Sequence, residues 1–207
     1  GYTSSFAEAN RNVVANQTIL SGDIGGQNVY HVMVWAANDN STGDVEGFIF
    51  EKGQADASNW GTSCNGLSIH RYYGGALYVV AGTLNIYDNI FRDNRAAYGG
   101  TLLIRESDAN KPIVLKNVSG NLFLRNEGRE GGGGALYIEY LHNTSTNPPI
   151  IENNLFKENS QTNSTSSSTG GGGIWINLSG YNFVIRYNTF VGNSASYRGA
   201  AITSKGN

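Results

Sequence analysis

The chain has 207 residues, only 14% of them charged, with a net charge of −2 and a pI near 5.9. Without clusters of Lys or Arg it has no electrostatic footprint for nucleic acid and nothing to draw it to an anionic membrane. Its length suits one domain with a sizeable core, and Cys64, its single cysteine, excludes an internal disulfide.

In chain order, "GYTSSFAEAN" shows no signal-peptide pattern, and no later stretch approaches the length of a transmembrane helix. The expectation is a mature or excised form of an exported protein, since its composition is polar without being charged. "QTILSGDIGG" and "NVYHVMVWA" read as early strands. "VEGFIFEKG" (45–53) reads as a degenerate coil, with Phe50 in a stacking position and Gly53 where later coils carry asparagine. Cys64, in "TSCNG", either pairs with another chain or is a small half-buried side chain. Residues 1–73 therefore form irregular early coils, and 74–202 are regular, within a single domain spanning 1–207.

The regular part alternates two motifs. Glycine-led apolar stretches begin at Gly74 ("GGALYVV"), Gly99 ("GGTLLI"), Gly133 ("GGALYIEY") and Gly171 ("GGGIWI"). Between them lie "NIFRDN", "NLFLRN", "NLFKEN" and "NTFVGN", all N-x-F-x-x-N, whose phenylalanines Phe91, Phe123, Phe156 and Phe190 are 32, 33 and 34 residues apart. A period of this size with two fixed landmarks is a solenoid signature. Apolar residues alternate with period two and are broken by Gly and Asn, which excludes helical repeats and predicts an all-β, parallel β-helix.

In that fold the four phenylalanines form an internal stack, and Leu77, Leu102, Leu136 and Ile174 an aliphatic one beside it. Asn94, Asn126, Asn159 and Asn193 recur at a corner, where they tolerate left-handed backbone and hydrogen-bond their copies above and below. Tyr78, Leu103, Tyr137 and Trp175 are predicted to face outward in register, as an exposed stripe for sugar rings or another protein, or else to lie under a loop such as 141–149. The chain stops one strand into a new coil, which predicts a longer parent chain or an end covered by another copy.

Together, GGA[I/L/V] and F-x-x-N tetrapeptides define the repeats of the chlamydial-type polymorphic outer membrane proteins, which this chain resembles. They stand here as "GGAL" (74–77, 133–136), "FRDN" (91–94), "FLRN" (123–126), "FKEN" (156–159) and "FVGN" (190–193), with "GGTL" and "GGGI" as looser copies. The stretch upstream also looks like the opening coils of large secreted β-helix proteins of bacteria and algae. The resemblance covers most of 18–202. It implies a right-handed parallel β-helix, export, and a role as an adhesin or surface structural module. The outer-membrane barrel of those proteins is not in this sequence, so autotransport and host-cell adhesion do not carry over.

The glycine runs fail as phosphate loops, having no Gly-Lys-Ser/Thr and leading into strands, and as calcium rolls, lacking the aspartate. A polysaccharide lyase or hydrolase would need converging carboxylates, or a base with a cation. Asp93, Arg125 and Glu158 instead form an alternating row, and His31, His70 and His142 do not recur in register. No catalytic residue, metal ligand or cofactor is assigned. Sequons occur at Asn16, Asn40, Asn117, Asn143, Asn163 and Asn177, of which Asn40, Asn143 and Asn163 are expected in accessible loops. The sequence thus predicts a non-catalytic, extracellular structural or adhesive module, partnered by copies of itself or by a longer parent chain through end-to-end stacking, and by glycans. The rivals are a carbohydrate-active, polysaccharide lyase- or hydrolase-like β-helix enzyme fragment and a glycan-binding module.

Overall fold

The computed structural model describes residues 15–37, 41–58, 61–106, 108, 110–139, 148–162, 170–178 and 182–205. Among them there are strands and turns but no helix, so none long and apolar enough to cross a membrane. Three parallel ladders account for nearly all the strands. The first stacks Thr18–Ser21, Phe48–Glu51, Ile90–Arg92, Leu122–Leu124, Leu155–Lys157 and Thr189–Val191. The second stacks Gln54–Ala55, Arg95–Tyr98, Glu127–Gly131, Ser160–Gln161 and Ser194–Ala195.

The third ladder is broader because the long strand Leu77–Tyr87 belongs to both of its halves. One half pairs Met33–Ala36, Leu77–Tyr87, Leu102–Arg105, Leu136–Glu139, Ile174–Asn177 and Ile202–Lys205. The other pairs Thr42–Glu46 and Ile113–Ser119 with Leu77–Tyr87, then Ile150–Glu152 and Val184–Arg186 beyond. From residue 77 onward the chain visits the three ladders in the same order each time, an arrangement compatible with a β-solenoid. Two short antiparallel hairpins, Asp23–Ile24 with Gln27–Asn28 and Thr62–Cys64 with Leu67–Ile69, interrupt it.

Register brings like residues together. Phe50, Phe91, Phe123, Phe156 and Phe190 stack with ring centroids 4.7–4.9 Å apart and interplanar angles of 2–9°. Near-parallel rings at this separation fall within the range that aromatic pairs adopt. Here the inter-strand spacing of about 4.8 Å sets the separation. Phe50, Phe91, Phe123 and Phe156 are fully buried, each burial stabilising by about 1.5–3 kcal/mol. Leu77, Leu102, Leu136 and Ile174 align beside them. Gly53 stands where the asparagine is expected, its N–H donating to Asn94 Oδ1 at 3.0 Å.

The asparagine ladder forms, with one correction. Asn94, Asn126 and Asn159 each donate their backbone N–H to the Oδ1 of the asparagine one coil on, at 2.9–3.1 Å. The Nδ2 groups of Asn94, Asn126, Asn159 and Asn193 donate back to the carbonyls of Phe50, Phe91, Phe123 and Phe156. The left-handed residue, however, is not the asparagine but the one before it: Asp93 (φ 55°), Arg125 (φ 50°), Glu158 (φ 56°) and Gly192 (φ 62°). This turn aims the asparagine inward and its predecessor outward.

A second ladder of the same construction was not assigned from sequence. Asn89, Asn121 and Asn154 donate their N–H to the Oδ1 of Asn121, Asn154 and Asn188 at 2.9–3.0 Å. Each again follows a left-handed residue: Asp88, Gly120, Asn153 or Tyr187. Both asparagines of N-x-F-x-x-N are thus rungs, one at each end of the short Phe strand.

The glycine motifs divide two tasks between neighbouring residues. In the third coil the left-handed glycine is Gly132 (φ 81°), one residue ahead of the Gly133–Gly134 pair. Gly134 is needed for close approach instead, because a Cβ there would fall on the carbonyl oxygens of Gly172 and Ser160.

Candidate functional site

The predicted outward stripe does stack in register, Tyr78 on Leu103, Leu103 on Tyr137 and Tyr137 on Trp175. It is not exposed. Tyr78 and Leu103 are 0% accessible, Tyr137 3% and Trp175 5%. The segment before the first regular repeat folds over it, so that Leu67, Ile69 and Tyr73 join these residues in a second hydrophobic cluster on the outer side of the parallel ladders. Aromatic and aliphatic side chains on the outer face supply the apolar area that makes such a cover favourable. Of the loop 141–149, residues 141–147 lie outside the described residues.

Polar groups are enclosed with this cluster. Arg105 pairs with Glu139 at 3.1 Å and lies over the Tyr73 ring at 4.7 Å. Burial pushes the phenol pKa of Tyr73, Tyr78 and Tyr137 well above the ordinary value, and the Glu139 carboxylate adds to this. These tyrosines stay protonated. His31 donates its Nδ1–H to the Gly74 carbonyl at 3.0 Å, and burial lowers its pKa. His70 is lowered too, by burial first and the charge of Arg105 second.

The row before the corner asparagines brings no two carboxylates together. Arg125 makes a two-point contact with Asp93, Nε to Oδ1 and Nη2 to Oδ2, both at 2.8 Å. Glu158 contacts Lys157 at 3.6 Å. No group of three or more His, Cys, Asp or Glu placed to hold a metal occurs among the described residues. Cys64 is exposed on the hairpin. Of the sequons, Asn16 is half-buried. Asn117 donates to Asn85 Oδ1 at 3.4 Å and Asn177 to Glu139 Oε1 at 2.9 Å, on the flank of the Arg105 pair. Asn40, Asn143 and Asn163 lie outside the described residues, as does His142.

Sequence reasoning missed a cleft of about 460 Å³ lined by Asp56, Ser58, Tyr72, Tyr73, Tyr98 and Glu130, among others. Three of these are tyrosines packed edge to face, Tyr72 on Tyr73 at 4.5 Å, Tyr72 on Tyr98 at 5.9 Å and Tyr73 on Tyr98 at 5.8 Å. The signal in the sequence was slight, since "RYYGG" and "AAYGG" align their tyrosines only once the strands are paired. No family model, curated protein or solved structure matches the chain.

Proposed function

We propose that the chain is a right-handed parallel β-helix serving as a non-catalytic structural or adhesive module of a cell surface or extracellular fibre. Its coils stack end to end, on another copy or on further coils of a longer parent chain. The observation that carries this reading is where apolar surface is left open. The exposed large hydrophobic residues are Ile19, Ile24 and Tyr30 on the first coil and Tyr187, Val191, Tyr197 and Ile202 on the last. No coil between them exposes one among the described residues. Apolar surface concentrated at the two ends of a stack favours burial by another stack. The asparagine ladders support the same polarity. They begin on plain backbone, the N–H groups of Phe48 and Gly53, and reach Asn188 and Asn193 with no further rung among the described residues. The repeats that resemble polymorphic outer membrane protein repeats support export.

Electron microscopy of the purified chain tests this. The six-rung first ladder at about 4.8 Å per rung spans about 30 Å. Fibres with an axial repeat near that length are expected, and they should shorten or vanish when Val191 and Ile202 are both replaced by Lys. Dispersed single domains at high concentration would remove the end-to-end reading. Release of reducing or unsaturated sugars from polysaccharide would overturn the non-catalytic one in favour of a carbohydrate-active enzyme.

A further inference from the structure

The cleft beside the second ladder has features that solenoid stacking does not require. Tyr72, Tyr73 and Tyr98 are fixed by backbone as well as by ring packing. Tyr98 N–H donates to the Tyr72 carbonyl at 2.9 Å, and Gly74 N–H donates to the Tyr98 carbonyl at 3.2 Å. The Arg105 guanidinium lies over the Tyr73 ring at 4.7 Å. The tyrosines are thus held in place before any ligand arrives, which lowers the ordering cost of binding.

The polar side of the cleft is equally set. Three groups point at one oxygen of Asp56: Arg95 Nη2 at 2.8 Å, Gln54 Nε2 at 2.8 Å and Arg129 Nη1 at 3.8 Å, all to Oδ2. Oδ1 of this oriented carboxylate has no partner among the described residues. Glu130, an exposed residue at the cleft whose charge adds to the rise that burial gives the Tyr98 pKa, makes no ion pair among them. Asp56, Glu127 and Glu130 against Arg95 and Arg129 leave one net negative charge, which disfavours an anionic ligand and gives little hold on a polycation. Aromatic faces beside free carboxylate oxygens match a ring with apolar C–H faces and hydroxyl donors at its rim. The volume lies within the roughly 300–1,000 Å³ of small-ligand clefts.

We propose that this cleft binds an uncharged saccharide unit, its ring against Tyr72 and Tyr98 and its hydroxyls donating to Asp56 Oδ1 and the Glu130 carboxylate. The site goes beyond the structural role and does not depend on end-to-end stacking, so fibres can form whether or not it binds. Saturation-transfer NMR with cellotetraose, mannotetraose, tetragalacturonate and tetralysine tests it. At least one neutral tetrasaccharide is expected to bind with millimolar affinity, weakened about tenfold or more by Tyr98→Ala, retained in Tyr98→Trp, and weakened severalfold by Glu130→Gln. Glu130 is exposed, so Glu130→Gln decides the question alone if thermal melting shows that Tyr98→Ala has lost its fold. The proposal fails if neither neutral probe binds at about 10 mM, if only tetralysine or tetragalacturonate binds, or if neutral binding is unchanged in Glu130→Gln.

Discussion

Removing one rung from the middle of an asparagine ladder should cost far more than removing the last. Asn126 is 1% exposed. Its Oδ1 accepts from Asn94 N–H at 3.1 Å and Asn94 Nδ2 at 3.2 Å, while its Nδ2 donates to the Phe91 carbonyl at 2.9 Å and Asn159 Oδ1 at 2.9 Å. Asn126→Ala strands the buried N–H of Asn94 and leaves the Phe91 carbonyl without this donor. Each buried polar group left unmet costs about 1–3 kcal/mol, so a loss of about 3–5 kcal/mol is expected. Asn193 makes the equivalent contacts with Asn159 and Phe156 but is half-exposed. Water can replace its oxygen there, and Asn193→Ala should cost about 1 kcal/mol. Urea unfolding of both variants measures the gap, and amide exchange at Asn94 locates it, since that proton should exchange much faster only in Asn126→Ala. Losses equal within about 1 kcal/mol, with Asn94 exchange unchanged, would refute the claim that the ladder oxygen is the acceptor on which that amide depends.

Three further outcomes follow from the same geometry. Phe123→Ala should lower stability by about 3–5 kcal/mol in urea unfolding, and Phe190→Ala by clearly less, because Phe190 is only half-buried. Gly100→Ala should prevent or severely weaken folding, seen as a lost or much lowered melting transition, because its Cβ would fall on the Gly134 carbonyl oxygen. Burial holds the His31 pKa below its ordinary value, so the unfolded chain takes up a proton at a pH where the folded chain does not. Stability from this group is complete above about pH 6.5 and declines as pH falls below it. The urea midpoint should drop across that window, and His31→Gln should flatten the drop.

The stacking of parallel strands was legible in the sequence because each repeat places its inward residues at the same spacing. Phe91, Phe123, Phe156 and Phe190 needed only a period and an alternation to be placed. The first asparagine of each N-x-F-x-x-N was equally visible, yet its role emerges only when the Phe strand is seen to be three residues long with a turn at both ends. Tyr78 and Tyr137 misled for a different reason. Period-two alternation says which side of a strand a residue occupies, not whether that side meets water. Here a segment from elsewhere in the chain, Leu67 to Tyr73, supplies the cover, and no local pattern announces it. The tyrosine cleft was hidden likewise, since it joins residues 56–58, 72–73 and 97–98 with Glu130 through pairing of different coils.

The two-residue corner separates what holds this fold together from what it can display. The asparagine turns inward and is fixed by four hydrogen bonds, so its identity is demanded at nearly every coil. Its left-handed predecessor points outward, and the position accepts Asp, Arg, Glu, Gly, Asn and Tyr. Left-handed backbone costs a residue with a Cβ about 1–2 kcal/mol, a strain the ladder bonds offset. The contacts made by these outer residues are weak by comparison. The Asp93–Arg125 pair, with side chains about half exposed, belongs to a class worth about 0.2–1 kcal/mol. Charge at these positions can therefore change from coil to coil without threatening the stack. The buried ladders fix the register, while the corner side chains remain free to vary with whatever the surface meets.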